Sequence, residues 1–276
     1  MSVAAIEREL AAVRSGEEAA SRQRTSVMTH IAWVPEEWVE AAEDVLKGLA
    51  ERHPSRTIVL FPQSHGRGLE GEVAAETFPT AARSVCAETI RIRLCGTAAE
   101  HPASVVVPLL ISDLPVFLRW RGLPPFEATP FLELTDVADR LIVDSTEWPD
   151  LPAPYGDLGA VFDRIAVSDI AWARTSRWRP MLASLWPDIA DVRRIKVTGT
   201  RAQACLLAGW LRSRLGREVV MDHEPADRLE GVELDGKPAP FPPGDPPQPA
   251  DVLSDELGCL HRDAVYEAAV LAAAEM

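Results

Sequence analysis

The sequence predicts an α/β protein of two αβ-type domains, each with a mainly parallel or mixed sheet flanked by helices. A strand, a helix and a second strand follow one another over residues 25–61, and the same order recurs over residues 192–221. This order is typical of parallel βαβ units. Between them, Trp148–Gly159 (WPDLPAPYGDLG) has the proline and glycine content of a domain boundary. We therefore expect an N-terminal α/β domain at residues 1–155 and a C-terminal α/β domain at residues 156–276.

The first domain opens with a helix predicted at Val3–Val13 and a strand at Thr25–Val34. Thr57–Phe61 (TIVLF) is continuous, β-branched and apolar, which suits a strand covered on both faces. The segment between these strands has one apolar helical face, made by Trp38, Ala42, Val45 and Leu49. Later elements of this domain are predicted as three extended segments, a helix and a last strand: Gly71–Phe78, Ser84–Leu94, Pro115–Arg121, Phe131–Ala138 and Arg140–Asp144.

The second domain is predicted to hold a βαβ unit. Its strands are Val192–Thr198 and Arg217–Met221, and Gly216 is placed to end the helix between them. Two helices precede this unit, one at Leu158–Ile165 and one beginning after Asp169, which is a suitable N-cap. Residues 235–250 contain seven prolines in sixteen positions and are expected to form an exposed loop or linker. A terminal helix is predicted over residues 253–271.

Net charge and hydropathy argue against a nucleic-acid-binding protein and against a membrane or secreted protein. The net charge is −14, which argues against charge-driven binding of nucleic acid. No apolar run approaches the roughly 18 residues that span a bilayer, and Met1–Leu10 lacks a secretory signal. We therefore expect a cytoplasmic protein without membrane contact. Residues 160–221 nevertheless carry 11 basic and 5 acidic side chains. This basic segment is either an anion or protein interface, or a face paired internally with the acidic segments.

Motifs for catalysis or cofactors are weak. Gly66–Gly71 matches GxGxxG, but Glu72–Phe78 after it reads as a strand, whereas dinucleotide binding requires a helix there. We interpret the motif as a turn and predict no cofactor. The sequence has no GxxxxGK[ST], HExxH or GxSxG, its six histidines are scattered and its four cysteines form no CxxC pair. No catalytic residue, metal ligand or disulfide is predicted, and the chain is not expected to be an enzyme.

Two segments combine tryptophan with arginine, the residue types enriched at binding hot spots. In Asp113–Gly122 (DLPVFLRWRG), Trp120 and the pair Arg119 and Arg121 point to opposite faces of a strand. Asp169–Pro180 (DIAWARTSRWRP) carries a second set: Trp172, Arg174, Arg177, Trp178 and Arg179. All eight are candidate partner-interface residues. The alternatives are an ordinary core face for the first segment and cation–π packing within the fold for the second.

These segments resemble the glucose-6-phosphate dehydrogenase assembly family, OpcA. The resemblance runs from about Thr25 to the C-terminus. It rests on the order and spacing of both segments together with HPSR, SVVVPLL, ADRLIVDS, LLAGWLRSRLG and LSDELGCLHRDAVYEAAV. The chain departs from the family pattern at Arg119, where a tryptophan is usual, and at Arg177, where a proline is usual.

The resemblance implies a bacterial, cytoplasmic, non-enzymatic protein that binds glucose-6-phosphate dehydrogenase. It would act as an assembly factor and allosteric activator at the entry to the oxidative pentose phosphate pathway, with the hydride chemistry left to the partner. The alternative from another class is an enzyme or sensor that binds a sugar phosphate on the basic segment 160–221.

Overall fold

A computed structural model describes most of the chain. The described residues are 2–17, 26–42, 45, 55–66, 68–79, 84–245 and 249–276. Within those ranges every helix is too short or too polar to cross a membrane.

The chain forms two compact units, Met1–Ile142 and Val143–Met276, each of which is described by itself. The division lies earlier than the one that the sequence predicts after residue 155. The predicted boundary stretch is folded into the second unit, because Leu151, Pro154 and Tyr155 are buried there. An apolar side chain between prolines can join a core, and the composition of a short stretch does not reveal this.

The first unit is built on parallel strands. They are β1 (Thr29–Trp33), β2 (Arg56–Gln63), β3 (Gly68–Pro79), β4 (Ser84–Cys95), β5 (Val116–Trp120) and β6 (Arg140–Val143). They lie side by side in the order β3-β4-β2-β1-β5-β6. All neighbours are parallel except β3 and β4, which form an antiparallel pair. This is the predicted mixed α/β architecture. Strand β1 lies at the centre because β2, β3 and β4 are added on one side of it, and β5 and β6 are then added on the other.

The helices of the first unit are α1 (Val3–Glu17), α2 (described at residues 39–42 and 45), α3 (Thr97–Glu100), α4 (Ala103–Val106) and α5 (Thr129–Val137). A 3₁₀ turn, Glu36–Trp38, leads into α2, so the helix predicted between the first two strands is confirmed at its start. The predicted apolar position Leu49 lies outside the described residues. The strand predicted after the glycine motif is confirmed as β3, which pairs with β4.

Apolar side chains line the sheet, and Ile31, Ile58, Ile90 and Leu118 are fully buried. A buried ion pair adds to this core. Arg56 lies 2.9 Å from Glu88 and donates a second hydrogen bond, of 2.6 Å, to a backbone carbonyl at Leu109. Removing one partner of such a pair leaves the other charge buried and uncompensated.

The second unit has a four-stranded sheet in the order β11-β10-β8-β9 and, outside that sheet, a short strand, β7 (Ala166–Asp169). The four strands are β8 (Arg194–Gly199), β9 (Val220–Pro225), β10 (Gly231–Leu234) and β11 (Lys237–Pro238). Because β8 and β9 are parallel and joined by a helix, the second βαβ unit is confirmed.

The helices of the second unit are α6 (Pro154–Val161), α7 (Ile170–Ala173), α8 (Trp178–Ala183), α9 (Arg201–Leu215), α10 (Pro249–Leu257) and α11 (Ala264–Ala274). Helix α9 begins with a capping box of Thr200 and Gln203 and ends at Gly216 as predicted, where φ is 62° and left-handed. Helix α11 packs closely on α9 at Gly209.

The terminal helix predicted as one element is broken in two. Helix α10 ends at Leu257, and α11 begins after Asp263. The Asp263 carboxylate accepts hydrogen bonds from the backbone amides of Val265 and Tyr266, at 2.9 and 3.0 Å. This cap starts a new helix, and an apolar periodicity that continues through the break conceals it.

Candidate partner interface

In the first predicted segment, Trp120 belongs to the core. It is 2 % exposed and stacks on Trp33, its register partner on β1, with ring centroids 4.7 Å apart. Phe131 of α5 meets it edge-on at 5.3 Å. Neighbouring parallel strands place these two indoles side by side, and their burial stabilises the centre of the sheet.

Arg119 is also buried, at 3 % exposure. Its guanidinium donates to the carbonyl of Trp120 and, at 3.5 Å, to the carbonyl of Ile142. The alternation of the two faces of β5 is as predicted, but both faces are covered. Arg119 therefore binds backbone within the unit.

Arg121 lies just beyond the end of β5 and is half-buried. Its backbone amide donates to the carbonyl of Trp33, and its guanidinium lies 4.8 Å above the Trp38 ring. Gly122 follows with a φ of 74°, and a Cβ on it would lie 3.1 Å from Trp38 Nε1. This cluster sits at the carboxyl ends of β1 and β5, where the strand order reverses. Open parallel sheets bind ligands at such a position.

A cavity of about 740 Å³ lies in the first unit, beside the carboxyl ends of β1 and β2. Val39 and Phe61 supply its apolar lining, and its charged lining combines glutamates with arginines: Glu36, Glu70, Glu72, Arg91 and Arg93. Glu70 and Arg93 lie 3.6 Å apart. Arg91 and Arg93 alternate with isoleucines on β4, and the glutamates opposite them come from the pairing with β3, which the local sequence pattern does not show.

The second segment begins at a buried carboxylate. Asp169 is 1 % exposed and caps α7 through a hydrogen bond from the Ala171 amide at 2.8 Å. Ser145 donates to it twice, from its backbone amide at 3.0 Å and its hydroxyl at 2.6 Å. Tyr155 donates to the Ser145 hydroxyl at 3.0 Å, and Tyr266 reaches Asp169 at 3.4 Å.

Burial, together with the nearby charge of Asp144, raises the pKa of Asp169 from 3.8 to about 7. The hydrogen bonds from Ser145 and Ala171 act in the opposite direction because they stabilise the ionised form. Sequence reasoning identified Asp169 only as a helix cap. Ser145, Tyr155 and Tyr266 come from distant parts of the second unit, and no spacing in the sequence connects them.

Trp172 is 4 % exposed and donates through Nε1 to the Asp263 carboxylate at 2.8 Å. The Arg179 guanidinium lies 3.6 Å from the centroid of its ring, which is the predicted cation–π alternative. Burial lowers the pKa of Arg179 from 12.5 to about 10, while the charges of Asp263 and Glu256 oppose this shift. Trp172 and Arg179 therefore tie the start of α11 to the second segment.

Arg174 keeps access to solvent while it is paired. Its side chain is 32 % exposed and lies 3.3 Å from Asp144, whose carboxylate also accepts hydrogen bonds from Thr146. Arg174 and Trp178 are four residues apart and would touch on one continuous helix, but α7 ends at Ala173 and α8 begins at Trp178. That contact depends on an i, i+4 helical spacing which this break removes.

Arg177 and Trp178 hold the proline-rich loop. Arg177 donates to carbonyl oxygens of Pro242 and Pro243, at 2.9 and 2.7 Å, and to that of Gly244. Trp178 is 5 % exposed and meets the exposed ring of Phe241 edge-on at 5.3 Å. The described part of this loop is therefore anchored to the second unit, a role that its composition did not reveal.

Much of the basic segment 160–221 is paired with acidic side chains or with carbonyls. Three ion pairs illustrate this: Arg194 with Asp222 at 2.7 Å, Lys196 with Glu224 at 2.7 Å and Arg212 with Glu218 at 3.7 Å. Arg217 donates instead to the carbonyls of Ala190 and Val192. These contacts favour the interpretation of an internally paired face over that of one convergent anion site.

Comparison with known families covers both units. Residues 46–160 match a family model described as the N-terminal domain of the glucose-6-phosphate dehydrogenase subunit. Residues 165–241 match a second model, described as the C-terminal domain of the same subunit.

Three cyanobacterial proteins, each named as OpcA of the OxPP cycle, are similar to this chain. The Nostoc punctiforme protein is 29 % identical over 185 residues, which cover 60 % of this chain and 39 % of the relative. The Synechococcus elongatus protein is 27 % identical over 201 residues, 68 % of this chain and 44 % of the relative. The Synechocystis protein is 26 % identical over 183 residues, 60 % of this chain and 38 % of the relative. The chain thus matches about two fifths of the length of these relatives.

Proposed function

Because the chain belongs to the OpcA family of glucose-6-phosphate dehydrogenase assembly proteins, we propose that it binds this dehydrogenase and supports its assembly and full activity. It does so without catalysing a reaction itself, in the cytoplasm of a bacterium and at the entry to the oxidative pentose phosphate pathway. The observation that carries the proposal is the pair of family matches, 46–160 and 165–241, both described as domains of a dehydrogenase subunit.

Activation requires a difference in affinity. The protein shifts the dehydrogenase toward an active conformation only if it binds that conformation more tightly than the inactive one. A tenfold preference corresponds to about 1.4 kcal/mol, which a few interfacial contacts supply.

The eight predicted interface residues divide by burial and by the groups that they contact. Arg121 and Arg174 are only partly buried and are the candidates for direct contact. Four others are buried, and we assign them to supporting the segments from within: Arg119, Trp120, Trp172 and Trp178. Arg177 and Arg179 are bound to the loop carbonyls and to Trp172, respectively.

The test is co-purification with the host dehydrogenase and assay of its turnover with and without this chain. We expect a stable complex and faster turnover. Arg121→Ala should weaken binding about five- to tenfold, because truncating a contacting arginine typically costs about 1 kcal/mol or more. Arg228→Ala is the matched control, since that arginine is 76 % exposed and outside both segments.

Two negative outcomes have different meanings. If the parent chain neither binds nor activates the dehydrogenase, the proposed function is wrong. If the parent binds and folded Arg121→Ala binds equally well, only the assignment of Arg121 to the interface is wrong.

The alternative function is binding of a sugar phosphate on residues 160–221. The internal ion pairs of this segment weigh against it. Calorimetry with glucose 6-phosphate on the isolated chain separates the two, because tight binding without the dehydrogenase favours the alternative.

A further inference from the structure

Phe241 is exposed to solvent, although contacts with neighbouring side chains fix its position. Its side chain is 66 % exposed, whereas Phe117, Phe131 and Phe162 are at most 4 % exposed. A single exposed apolar side chain is common on protein surfaces and needs no special function. The contacts behind Phe241 are what distinguish it.

Those contacts fix both the ring and the backbone that carries it. Trp178, at the first position of α8, lies edge-on to the Phe241 ring at 5.3 Å. Arg177 directs its guanidinium at the carbonyl oxygens of three consecutive residues, Pro242, Pro243 and Gly244. A guanidinium has five donors in a planar fork, so it can hold several carbonyls at once.

The backbone of this loop is already conformationally restricted before any partner binds. Prolines at 240, 242 and 243 flank the phenylalanine, and a proline ring restricts φ to about −65°. Gly244 then turns the chain with a φ of 83°. Binding usually costs free energy for each side chain that it immobilises, and a prearranged loop avoids part of that cost.

We propose that Phe241 is the anchor by which this chain docks on glucose-6-phosphate dehydrogenase, its ring entering an apolar pocket on the dehydrogenase. Arg177 and Trp178 are positioning residues that hold the loop from behind. This inference rests on the proposed function and specifies the part of the surface that makes the contact.

The family match selects the dehydrogenase as the occupant. The second family match, to the C-terminal domain of the dehydrogenase subunit, spans residues 165–241 and so contains Arg177, Trp178 and Phe241 together. Aromatic side chains are also enriched at the centres of protein interfaces, where a pocket on the partner receives them.

An acidic side chain lies beside the anchor, because Asp245 is exposed at the end of the described part of the loop. A basic side chain next to the apolar pocket on the partner matches this carboxylate, and their attraction weakens as salt screens it.

The experiment measures the Kd of the full chain for the host dehydrogenase by calorimetry. Phe241→Ala should raise the Kd at least about 30-fold, as expected of a hot-spot aromatic, and leave the thermal stability nearly unchanged, because the ring is mostly in solvent. Trp186→Ala is the matched control, since Trp186 is an aromatic side chain of the same unit and is 67 % exposed. It should change the Kd only slightly.

The positioning role of Arg177 is tested by measuring the free loop as well as the Kd. A residue that only contacts the partner changes the Kd alone. Arg177→Ala should raise the Kd about tenfold, through the lost prearrangement of the loop, and lower the NMR order parameters of Phe241 and Gly244 in the free chain. Arg177→Lys should restore only part of the affinity, because an ammonium group cannot hold three carbonyls in one plane.

Each outcome decides between the proposals. If the parent binds and Phe241→Ala binds equally tightly, the anchor is refuted and the proposed function stands. Equal losses from Phe241→Ala and Trp186→Ala also refute a specific anchor. If the parent chain does not bind the dehydrogenase at all, the proposed function fails and the anchor fails with it.

Discussion

At the scale of single residues, Asp169 is a buried carboxyl group of the second unit with several hydrogen-bond donors around it. It accepts hydrogen bonds from Ser145, Ala171 and Tyr266, yet burial and the charge of Asp144 favour its protonated form. A carboxyl group that is more easily protonated in the folded state than in the unfolded chain makes stability depend on pH.

We predict that the protonated carboxyl group of Asp169 stabilises the folded state and that this stabilisation decreases as pH rises. Its pKa is about 7 when folded and near 3.8 when unfolded, so the folded state binds the extra proton between these values. The stabilisation is complete below about pH 4 and is lost as pH rises through about 7. Between about pH 5 and pH 8 the loss amounts to about 2 to 3 kcal/mol, from roughly 1.36 kcal/mol for each pKa unit.

Urea denaturation at several pH values checks this. Asp169→Asn should flatten the dependence relative to the parent by that amount, whereas Asp157→Asn, at an exposed carboxylate on α6, should leave it unchanged. Identical pH profiles for the parent and Asp169→Asn would contradict the prediction.

The candidate residues could be predicted from sequence only in part. Strand alternation correctly separated Trp120 from Arg119 and Arg121, because side-chain direction in a strand is a local property. It could not show that both faces of β5 are covered, since the covering segments are distant in sequence. For the same reason Phe241 was not a candidate: its significance depends on Arg177 and Trp178, far from it along the chain.

At the scale of elements, strongly patterned segments were predicted well. The strands β2, β5 and β8 and the helix α9 were expected from apolar runs, periodicity and the Gly216 cap. Strand β7 and the pair β10 and β11 were missed, because each is only two to four residues long. Pairing with other strands creates these elements, and local propensity does not encode pairing.

The contact between α9 and α11 gives a prediction at this scale. A Cβ on Gly209 would collide with the backbone of Ala269 and lie 2.9 Å from the Ala273 Cβ. Gly209→Ala should therefore destabilise the chain by about 1 to 3 kcal/mol despite the better helix propensity of alanine. Thermal or urea denaturation measures the change.

Gly156 in α6 is the matched control, because a Cβ there meets nothing within 4 Å. Gly156→Ala should stabilise the chain by up to about 1 kcal/mol. If Gly209→Ala also stabilises it, α9 and α11 do not pack as closely as described.

At the scale of the whole molecule, the position of β1 determines which truncations are tolerated. The family match begins at residue 46, but β1 lies before it and pairs with both β2 and β5. A chain that starts at residue 46 should aggregate, because it exposes two unpaired strand edges in the middle of the sheet. A chain that starts at residue 26 keeps β1 but lacks α1, whose Ile6 is fully buried, so it should stay in solution with a lower thermal stability. Sedimentation of the two purified chains measures the difference.

The central place of β1 also has a consequence during translation. It leaves the ribosome before either of its neighbours, and its partner on the far side, β5, is complete only at Trp120. One edge of β1 therefore stays unpaired while roughly ninety further residues are made. At about 5–20 residues per second this takes about 4 to 18 seconds. Throughout that interval the strand THIAW, whose five residues are all buried in the folded chain, has one unpaired edge that favours aggregation.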